Sequence, residues 1–153
     1  MDIRFRPVRA DELEALLELY THLNPTDAPL PDEATLRQVW DDFLTDPKVC
    51  CLVGEADNQL VTSCTLVIIP NLTRGMRPYG LIENVVTHAA YRQKGFGTRL
   101  LRQALQLAQE QNCYKVMLLS GRKEEETLRF YEKAGFQRGV KTGFVVYFGD
   151  SHG

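Results

Sequence analysis

Apolar and polar residues follow two different periods along this chain, and the changes of period predict its secondary structure. Segments that alternate every second residue, or that are continuously apolar over a short run, predict strands. Apolar residues that recur every three or four positions predict helices. Strands are predicted over 3–8, 49–55, 60–69, 81–87, 115–119 and 144–148, and helices over 13–20, 32–45, 98–111 and 124–133.

The predicted elements follow the order β-α-α-β-β-β-α-β-α-β, which is typical of a mixed α/β fold. Two strands joined by the polar turn 56–59 predict a hairpin, and the proline-rich segment 24–31 predicts a loop. A length of 153 residues suits one domain with its own core. We therefore expect a single domain over 1–153, with the last few residues as a tail.

Composition excludes several classes of function. The chain has 44% hydrophobic residues, 25% charged residues and a formal net charge of −2, which gives no reason to expect nucleic acid or an acidic membrane as partner. No apolar run is long enough to span a bilayer, and the first residues do not resemble a signal peptide, so a cytoplasmic location is expected. Cys50, Cys51, Cys64 and Cys113 form no C-x-x-C pair, which favours buried free thiols over a metal or disulfide site.

A glycine turn precedes the helix predicted over 98–111. Gly95 and Gly97 let the backbone come close to a ligand, and the first N–H groups of a helix attract phosphate. Arg92 and Lys94 add positive charge at the same place. Leu100 stands where a dinucleotide fingerprint needs its third glycine, and no Walker loop is present. On this feature alone, a tight turn that only starts a helix remains an equal alternative.

Two longer motifs make the signal specific. The first runs from Ile82-Glu83-Asn84-Val85-Val86-Thr87 through Tyr91-Arg92 to Gly95-x-Gly97, and the second is Phe130-Tyr131-Glu132-Lys133-Ala134-Gly135-Phe136. Together they resemble the acyl-CoA-binding core and the C-terminal signature of the GNAT superfamily of N-acetyltransferases. The resemblance implies a mixed, mostly antiparallel sheet with flanking helices, in which the central parallel strands 81–87 and 115–119 splay apart. It also implies acetyl-CoA as co-substrate, with no metal.

The same resemblance implies a set of cofactor contacts. The backbone of the strand before the turn would pair with the pantetheine arm, whose amides can act as an added strand. The N–H groups of the turn would hold the pyrophosphate, with Arg92 and Lys94 beside it. The implied residues are Val85, Val86, Thr87, Arg92, Gln93, Lys94, Gly95, Phe96, Gly97 and Thr98.

Two residues are candidates for proton transfer. Glu83 matches a position where many family members carry a catalytic glutamate, and we expect it to deprotonate the amine directly or through a water. Burial in an apolar strand would make its carboxylate a stronger base. Tyr131 is expected to protonate the leaving CoA thiolate. The alternatives are a structural carboxylate for Glu83 and a core aromatic for Tyr131. A backbone N–H near Val85 or Val86 would polarise the thioester carbonyl.

One departure from the family pattern concerns the stretch 121–127, which lacks the asparagine often found before the tyrosine. Ser120, Gly121 and Arg122 are candidates to replace that cofactor contact. The acceptor pocket is expected near the first helices and the loop before the central strand, with Asn84, Tyr79 and Arg74 as candidate contacts, together with Tyr20, His22, Asn24 and Trp40 by region.

The resemblance also implies that the acceptor is a small-molecule primary amine, such as an amino sugar or an aminophosphonate, with no nucleic acid or membrane partner expected. A protein or peptide acceptor, a non-catalytic module that senses acyl-CoA, and a binder of another nucleotide remain alternatives. A homodimer is common in such folds, and the predicted strand 144–148 is the candidate for exchange between copies.

Overall fold

The computed structural model describes residues 2–149 of the chain. Its strands are β1 (Arg4–Pro7), β2 (Val49–Ala56), β3 (Gln59–Ile69), β4 (Tyr79–Thr87) and β5 (Val116–Met117). Its α-helices are α1 (Leu13–Tyr20), α2 (Glu33–Thr45), α3 (Phe96–Glu110) and α4 (Glu125–Lys133). The order agrees with the sequence prediction up to α4.

One sheet joins all the strands in the order β1-β2-β3-β4-β5. The first three pairs are antiparallel, and β4 pairs with β5 in parallel. Asp57 and Asn58 close the β2–β3 hairpin with φ values of 52° and 60°, as a tight hairpin turn requires. The prediction of a mixed, mostly antiparallel sheet is confirmed.

Helices cover both faces of the sheet because the central strands are apolar on both sides. On one face, α3 buries Leu100 and Leu101 against Cys64, Leu66 and Ile82, and residues of α4 pack beside them. On the other face, α1 and α2 cover the sheet with a second cluster, whose buried members include Leu13, Leu16, Leu19, Trp40, Cys51, Val53 and Val86. The sheet thus separates two packed layers, and any opening in it connects them.

Such an opening lies between the two parallel strands. They pair only at Gly80 with Val116 and at Leu81 with Met117. From Ile82 onwards, β4 has β3 on one side and, within residues 2–149, no strand on the other. This β4–β5 gap is the splaying that the family resemblance implies.

A bulge in β4 lies beside the gap. Ser63 is opposite Val86 and Thr65 is opposite Glu83, so β4 carries one more residue than β3 over this stretch. Asn84 takes up the irregularity with φ 53°, in the left-handed region that asparagine tolerates better than most residues. A bulge re-aims the side chains that follow it. Val85 consequently packs towards α3 and α4, while Val86 packs towards α1.

Two predicted strands differ from the structure. The strand predicted over 115–119 is only Val116–Met117, and both residues are half-buried rather than buried. The strand predicted over 144–148 is wrong for the single chain: this segment pairs with no strand among the described residues, and Phe144 and Phe148 are 90% and 85% exposed. Its apolar residues carry a strand tendency that no neighbouring strand satisfies.

The prediction of buried free thiols is confirmed. Cys51, Cys64 and Cys113 are buried and Cys50 is half-buried, all in the free form. Burial raises the pKa of each thiol, that of Cys64 to about 12. Over the described part of the chain, no helix combines the length and the apolar character that crossing a bilayer demands.

Candidate active site

The free edge of β4 offers backbone groups to the gap. His88 N donates to Val61 O at 2.8 Å, and Val86 pairs with Ser63, so the backbone groups of Val86 face β3. Backbone direction alternates along a strand, which turns Val85 and Thr87 towards the gap. Of the three residues expected to pair with pantetheine, Val85 and Thr87 therefore turn their backbone groups towards the gap, and Val86 turns its groups towards β3.

Thr87 is held from both sides. Its hydroxyl lies 3.0 Å from the hydroxyl of Thr62, which also donates to Val86 O at 2.9 Å. Its carbonyl accepts from Arg92 Nε at 3.0 Å, and Arg92 Nη2 donates to His22 O, also at 3.0 Å. The Arg92 guanidinium thus links the end of α1 to the end of β4 and keeps its charge at the mouth of the gap.

His22 belongs to this junction rather than to an acceptor pocket. Its Nδ1 accepts from Ala89 N at 3.2 Å, and its ring lies 4.0 Å from that of His88. Partial removal of the ring from solvent lowers the pKa of His22, and the nearby charges of His88 and Arg92 lower it further. The neutral ring suits this position next to the Arg92 guanidinium.

The N-terminus of α3 faces outwards next to Arg92. Gly95 is the N-cap with φ 81°, and no side chain among the described residues caps the helix. The first N–H groups of a helix lack intrahelical acceptors and carry the positive end of its dipole. Lys94 is exposed beside them, and Gln93 bridges to Glu126 of α4 through Nε2 and Oε1 at 3.3 Å. This arrangement is what a pyrophosphate needs.

The two glycines of the turn have different tasks. A Cβ on Gly95 would meet no atom within 4 Å, so its importance is the positive φ. A Cβ on Gly97 would lie 2.9 Å from two ring carbons of Phe130 and 3.3 Å from Thr87 Oγ1. Gly97 therefore allows the start of α3 to pack against α4 and β4, which is a packing requirement that a simple turn does not have.

Glu83 lies on the face of the sheet covered by α1. It is opposite Thr65, whose neighbours include Tyr20 of α1. The expectation that Glu83 is buried is wrong, because its side chain is exposed. The bulge at Asn84 and the missing neighbour strand open this part of β4 to solvent. An exposed carboxylate can meet an amine that arrives from solution.

Tyr131 approaches the gap from the opposite face. Its ring packs among the α3 and α4 residues, with ring centroids 4.9 Å from Phe130 and 6.3 Å from Phe136. Burial raises the pKa of its phenol, the Arg122 guanidinium lowers it, and the Glu83 carboxylate raises it further. Tyr131 and Glu83 border one gap from its two sides.

A buried hydroxyl near Glu83 was missed by sequence reasoning. Thr65 Oγ1 is fully buried and makes no hydrogen bond to the described residues. The Tyr20 phenol lies nearby, and burial raises the pKa of Tyr20. The signal was available, because Thr62-Ser63-Cys64-Thr65 is a small, mostly polar run inside an otherwise apolar strand. Polar residues at buried strand positions indicate either internal bonds or a ligand.

Two of the acceptor candidates lie elsewhere. The Tyr79 and Tyr114 rings are 6.4 Å apart, Lys115 Nζ lies 5.1 Å from the Tyr79 ring, and Arg74 Cζ lies 5.9 Å from the Tyr114 ring. This cluster surrounds the start of β4, roughly 13 Å along the strand from Glu83. The structure therefore does not bring Arg74 or Tyr79 to the gap.

The other acceptor candidates differ in position. Asn84 is exposed directly beside Glu83. Trp40 is a core residue whose indole N–H donates to Ala10 O at 2.9 Å. Among residues 2–149, no group of three or more His, Cys, Asp and Glu side chains is arranged to hold a metal.

Comparison with known proteins agrees with this geometry. The acetyltransferase (GNAT) family matches residues 13–136. The glucosamine 6-phosphate N-acetyltransferase of Trypanosoma brucei brucei is 35% identical over 142 residues, which cover 90% of each chain.

Solved structures share the fold. An Agrobacterium tumefaciens str. C58 protein described as an acetyltransferase has a TM-score of 0.88 at 41% identity, covering 95% of this chain and 99% of that one. A Clostridium acetobutylicum protein, a predicted acetyltransferase with acetyl-CoA, has a TM-score of 0.73 at 20% identity, covering 95% and 96%. At that identity the second likeness concerns the fold alone.

Proposed function

This chain belongs to the acetyltransferase (GNAT) family and is an N-acetyltransferase, and on that premise we propose that it moves acetyl from acetyl-CoA to the amino group of glucosamine 6-phosphate. The observation that carries the chemistry is the β4–β5 gap, with Glu83 on one face of the sheet and Tyr131 on the other. Support for the acceptor comes from the Trypanosoma relative, which aligns over nine-tenths of this chain.

Members of this family take the acetyl group from acetyl-CoA. The pantetheine arm would lie in the gap and pair with the backbone of Val85 and Thr87, which β3 leaves free. The pyrophosphate would bind at the N-terminus of α3, beside Lys94 and Arg92. The thioester would then reach the part of the gap that Glu83 and Tyr131 border.

The reaction needs one proton to leave the amine and one to reach the sulfur. The amine nitrogen attacks the thioester carbonyl carbon, and its proton passes to the Glu83 carboxylate directly or through a water. The Val85 N–H points into the gap and is the donor that would stabilise the developing oxyanion. The C–S bond then breaks, and the Tyr131 phenol protonates the CoA thiolate. Because the pKa of Tyr131 is raised, the phenol holds this proton at neutral pH.

Asn84 completes the proposed acceptor side. Its side chain is exposed next to Glu83 on the bulge, where it would contact the sugar that carries the amine. Arg74 and Tyr79 are left out of this proposal because their cluster lies at the other end of β4.

The test is release of free CoA thiol from acetyl-CoA with glucosamine 6-phosphate, with the N-acetylated product identified by mass. Glucosamine without the phosphate and a lysine peptide serve as comparison acceptors. We expect kcat/KM to be highest with glucosamine 6-phosphate. A higher value with the peptide contradicts the proposed acceptor, and tight acetyl-CoA binding without turnover on any acceptor favours a sensing module.

Two variants with matched controls test the proposed roles. Glu83→Gln and Tyr131→Phe should each lower kcat by about a hundredfold or more, with acetyl-CoA affinity within a fewfold of the original. Glu110→Gln, at the exposed end of α3, and Tyr114→Phe, in the cluster at the start of β4, change the same groups elsewhere and should leave kcat unchanged. Unchanged rates in both test variants would refute the mechanism.

A further inference from the structure

Two histidine rings stack where α1 and β4 end. His22 follows α1 and His88 follows β4, and their ring centroids are 4.0 Å apart. Both side chains are half-buried. The stacked rings therefore join two distant segments of the chain at the mouth of the β4–β5 gap.

Each ring accepts a hydrogen bond from the backbone. His88 is the N-cap of a 3₁₀ turn (Ala89–Tyr91), and its Nδ1 accepts from Ala90 N at 3.0 Å. His22 Nδ1 accepts from Ala89 N at 3.2 Å. The first N–H groups of a helical turn lack partners within the turn, so the two rings satisfy two successive donors. A ring nitrogen that accepts carries no proton, which makes both rings neutral with the proton on Nε2.

Histidine is an unusual residue for this capping task. Asn, Asp and Ser are the preferred N-caps, and their side-chain oxygens accept throughout the neutral pH range. A histidine that gains a proton turns its accepting nitrogen into a donor, and this happens close to neutral pH. A charged ring would direct an N–H group at a backbone N–H group. The hold on the turn 89–91 therefore depends on the protonation of the two rings.

The turn leads directly into Arg92. The Arg92 guanidinium donates to Thr87 O and to His22 O, so His22 holds the turn through its ring and Arg92 through its carbonyl. The far side of the turn is fixed separately, because the Tyr91 hydroxyl donates to Asp57 Oδ2 at 2.7 Å. Release of the two rings would leave the turn attached to the β2–β3 hairpin but free to move at Arg92.

The charges near the rings favour their neutral form. Partial removal from solvent lowers the pKa of His22, His88 and Arg92 lower it further, and Glu18 of α1 opposes them. On the other side, the Tyr91 ring centroid lies 5.4 Å from that of His88, and the Tyr91 hydroxyl is bonded to Asp57. A proton that enters the pair therefore meets the Arg92 guanidinium and a second ring.

We propose that His22 and His88 are positioning residues for the cofactor, and that protonation of the pair weakens the binding of acetyl-CoA. This inference rests on the proposed binding of the pyrophosphate beside Arg92. While both rings are neutral, the turn is capped and Arg92 keeps both its bonds. A proton on either Nδ1 removes a cap, and Arg92 loses its fixed position. The added ring charge would attract the pyrophosphate, but solvent screens it at this half-buried place.

Calorimetry of CoA binding between about pH 7.5 and about pH 5 tests the proposal, because histidine titrates in this range. We expect the Kd of the wild type to rise about tenfold as the pH falls, as for loss of one hydrogen bond to a charged group. The double variant His22→Asn and His88→Asn offers an amide oxygen near each Nδ1 position, which accepts without titrating. It should keep most of the affinity at the upper pH and lose most of the pH dependence. The CoA phosphates titrate alike with both proteins, so the comparison removes their contribution.

A matched pair of variants separates capping from packing. His88→Leu keeps an apolar side chain of similar size but has no acceptor, whereas His88→Asn keeps the acceptor. At neutral pH, His88→Leu should raise the KM for acetyl-CoA about tenfold, and His88→Asn should restore most of it. Neither change should alter kcat much at saturating acetyl-CoA, because Glu83 and Tyr131 are untouched.

Each outcome bears on one proposal. A double variant with the same pH dependence as the wild type overturns the positioning role. So does a wild type whose affinity rises in acid relative to that of the double variant, because the ring charge would then outweigh the lost caps. CoA that binds the wild type at no pH contradicts the proposed function instead.

Nuclear magnetic resonance of the wild type without CoA gives an answer even if a variant fails to fold. The backbone amide signals of Ala89 and Ala90 and the Nε–H signal of Arg92 should move together with the titration of the His22 ring. The ¹⁵N shifts of the neutral rings should show the proton on Nε2. An Arg92 signal that stays fixed while the rings titrate overturns the proposal.

Discussion

The two halves of β4 have different neighbours. At Gly80 and Leu81 the strand is paired on both sides, with β3 and with β5. From Glu83 to Thr87 its one partner among residues 2–149 is β3, and a bulge separates the halves. The paired half is ordinary core, whereas the free half gathers the residues proposed for the donor and for proton transfer.

The difference indicates that the candidate site requires a stretch of β4 backbone that does not pair with β5. Strand backbone that lacks a partner inside a fold is costly unless water or a ligand satisfies it. In the proposed function, the β4–β5 gap keeps such backbone available for the amides of pantetheine, and Glu83 and Tyr131 reach the amine and the sulfur from the two faces of the sheet. Changes that disturb the free half should therefore reduce activity, and equal changes in the paired half should not.

The largest effect is expected when a methyl group is added at Gly97, next to the free half of β4. Gly97→Ala places a Cβ within 2.9 Å of Phe130, which is adjacent to Tyr131, so Phe130 must move. Misplacement of a catalytic group by a small distance can cost about a hundredfold in rate, and we expect a loss of that order in kcat/KM.

Gly80→Ala is the matched control for that change. Its Cβ would meet the flexible ends of Leu66 and Val116 at 3.1 and 3.2 Å, in the paired half. It should lower the melting temperature modestly and leave kcat/KM within a fewfold of the original. Equal losses of activity in both variants would contradict the contrast between the halves.

A smaller effect is expected at Arg92. Arg92→Lys retains the charge but replaces the planar guanidinium, whose two nitrogens bond Thr87 O and His22 O, with one ammonium nitrogen, so the link at the mouth of the gap loosens. We expect the KM for acetyl-CoA to rise about tenfold, at a cost of about 1.4 kcal/mol, with kcat little changed. Arg102→Lys, which loses a comparable bond to Lys133 O, should leave this KM unchanged. Calorimetry with CoA measures the same difference without turnover.

Titration with pH should detect the raised pKa of the Tyr131 phenol. Its folded pKa is raised above the usual 10.0, chiefly by burial, so folding favours the protonated phenol. That contribution to stability is fully present below the unfolded pKa and disappears as the pH rises through the folded value. Ultraviolet titration should show an ionisation above 10 that is missing in Tyr131→Phe, beside those of Tyr20 and Tyr91, whose pKa values are also raised. Ionisation of this residue at or below the usual value would contradict its burial.

The smallest expected effect is on the free energy of unfolding, when either of two threonine hydroxyls of β3 opposite the free half is removed. Thr62 bonds Val86 O and Thr87 Oγ1, so Thr62→Val should lower the free energy of unfolding by about 1 kcal/mol. Thr65 has no partner among the described residues, so Thr65→Val should change it by less than about 0.5 kcal/mol. Chemical denaturation measures both. A larger loss at Thr65 would reveal a bound water or ligand.

The helices and strands could be predicted from the sequence better than the pairing between strands. The strands at 49–55, 60–69 and 81–87 and the four helices follow from periodicity, because their apolar faces are buried within the chain. The segment 144–148 has an equally strong strand pattern and forms none, since a strand also needs an edge to pair with.

The site was predictable to the same extent. The motifs predict that Arg92 and the glycine turn precede the long helix and that Tyr131 lies on the next one, and they lie there in the structure, while their roles stay predictions. The exposure of Glu83 and the direction of the Val86 backbone follow from the bulge at Asn84, and the sequence contains no local signal for it. The position of the Thr65 hydroxyl near Glu83 depends on the register between β3 and β4, which the sequence does not show.

The four cysteines have a consequence for a reaction whose product is a free thiol. Each of them has a raised pKa, so little thiolate is present to exchange with CoA or its disulfide at neutral pH. The CoA that turnover releases should therefore not form mixed disulfides with the protein. A thiol-reactive dye added to the native enzyme should accordingly count released CoA and leave the protein unlabelled.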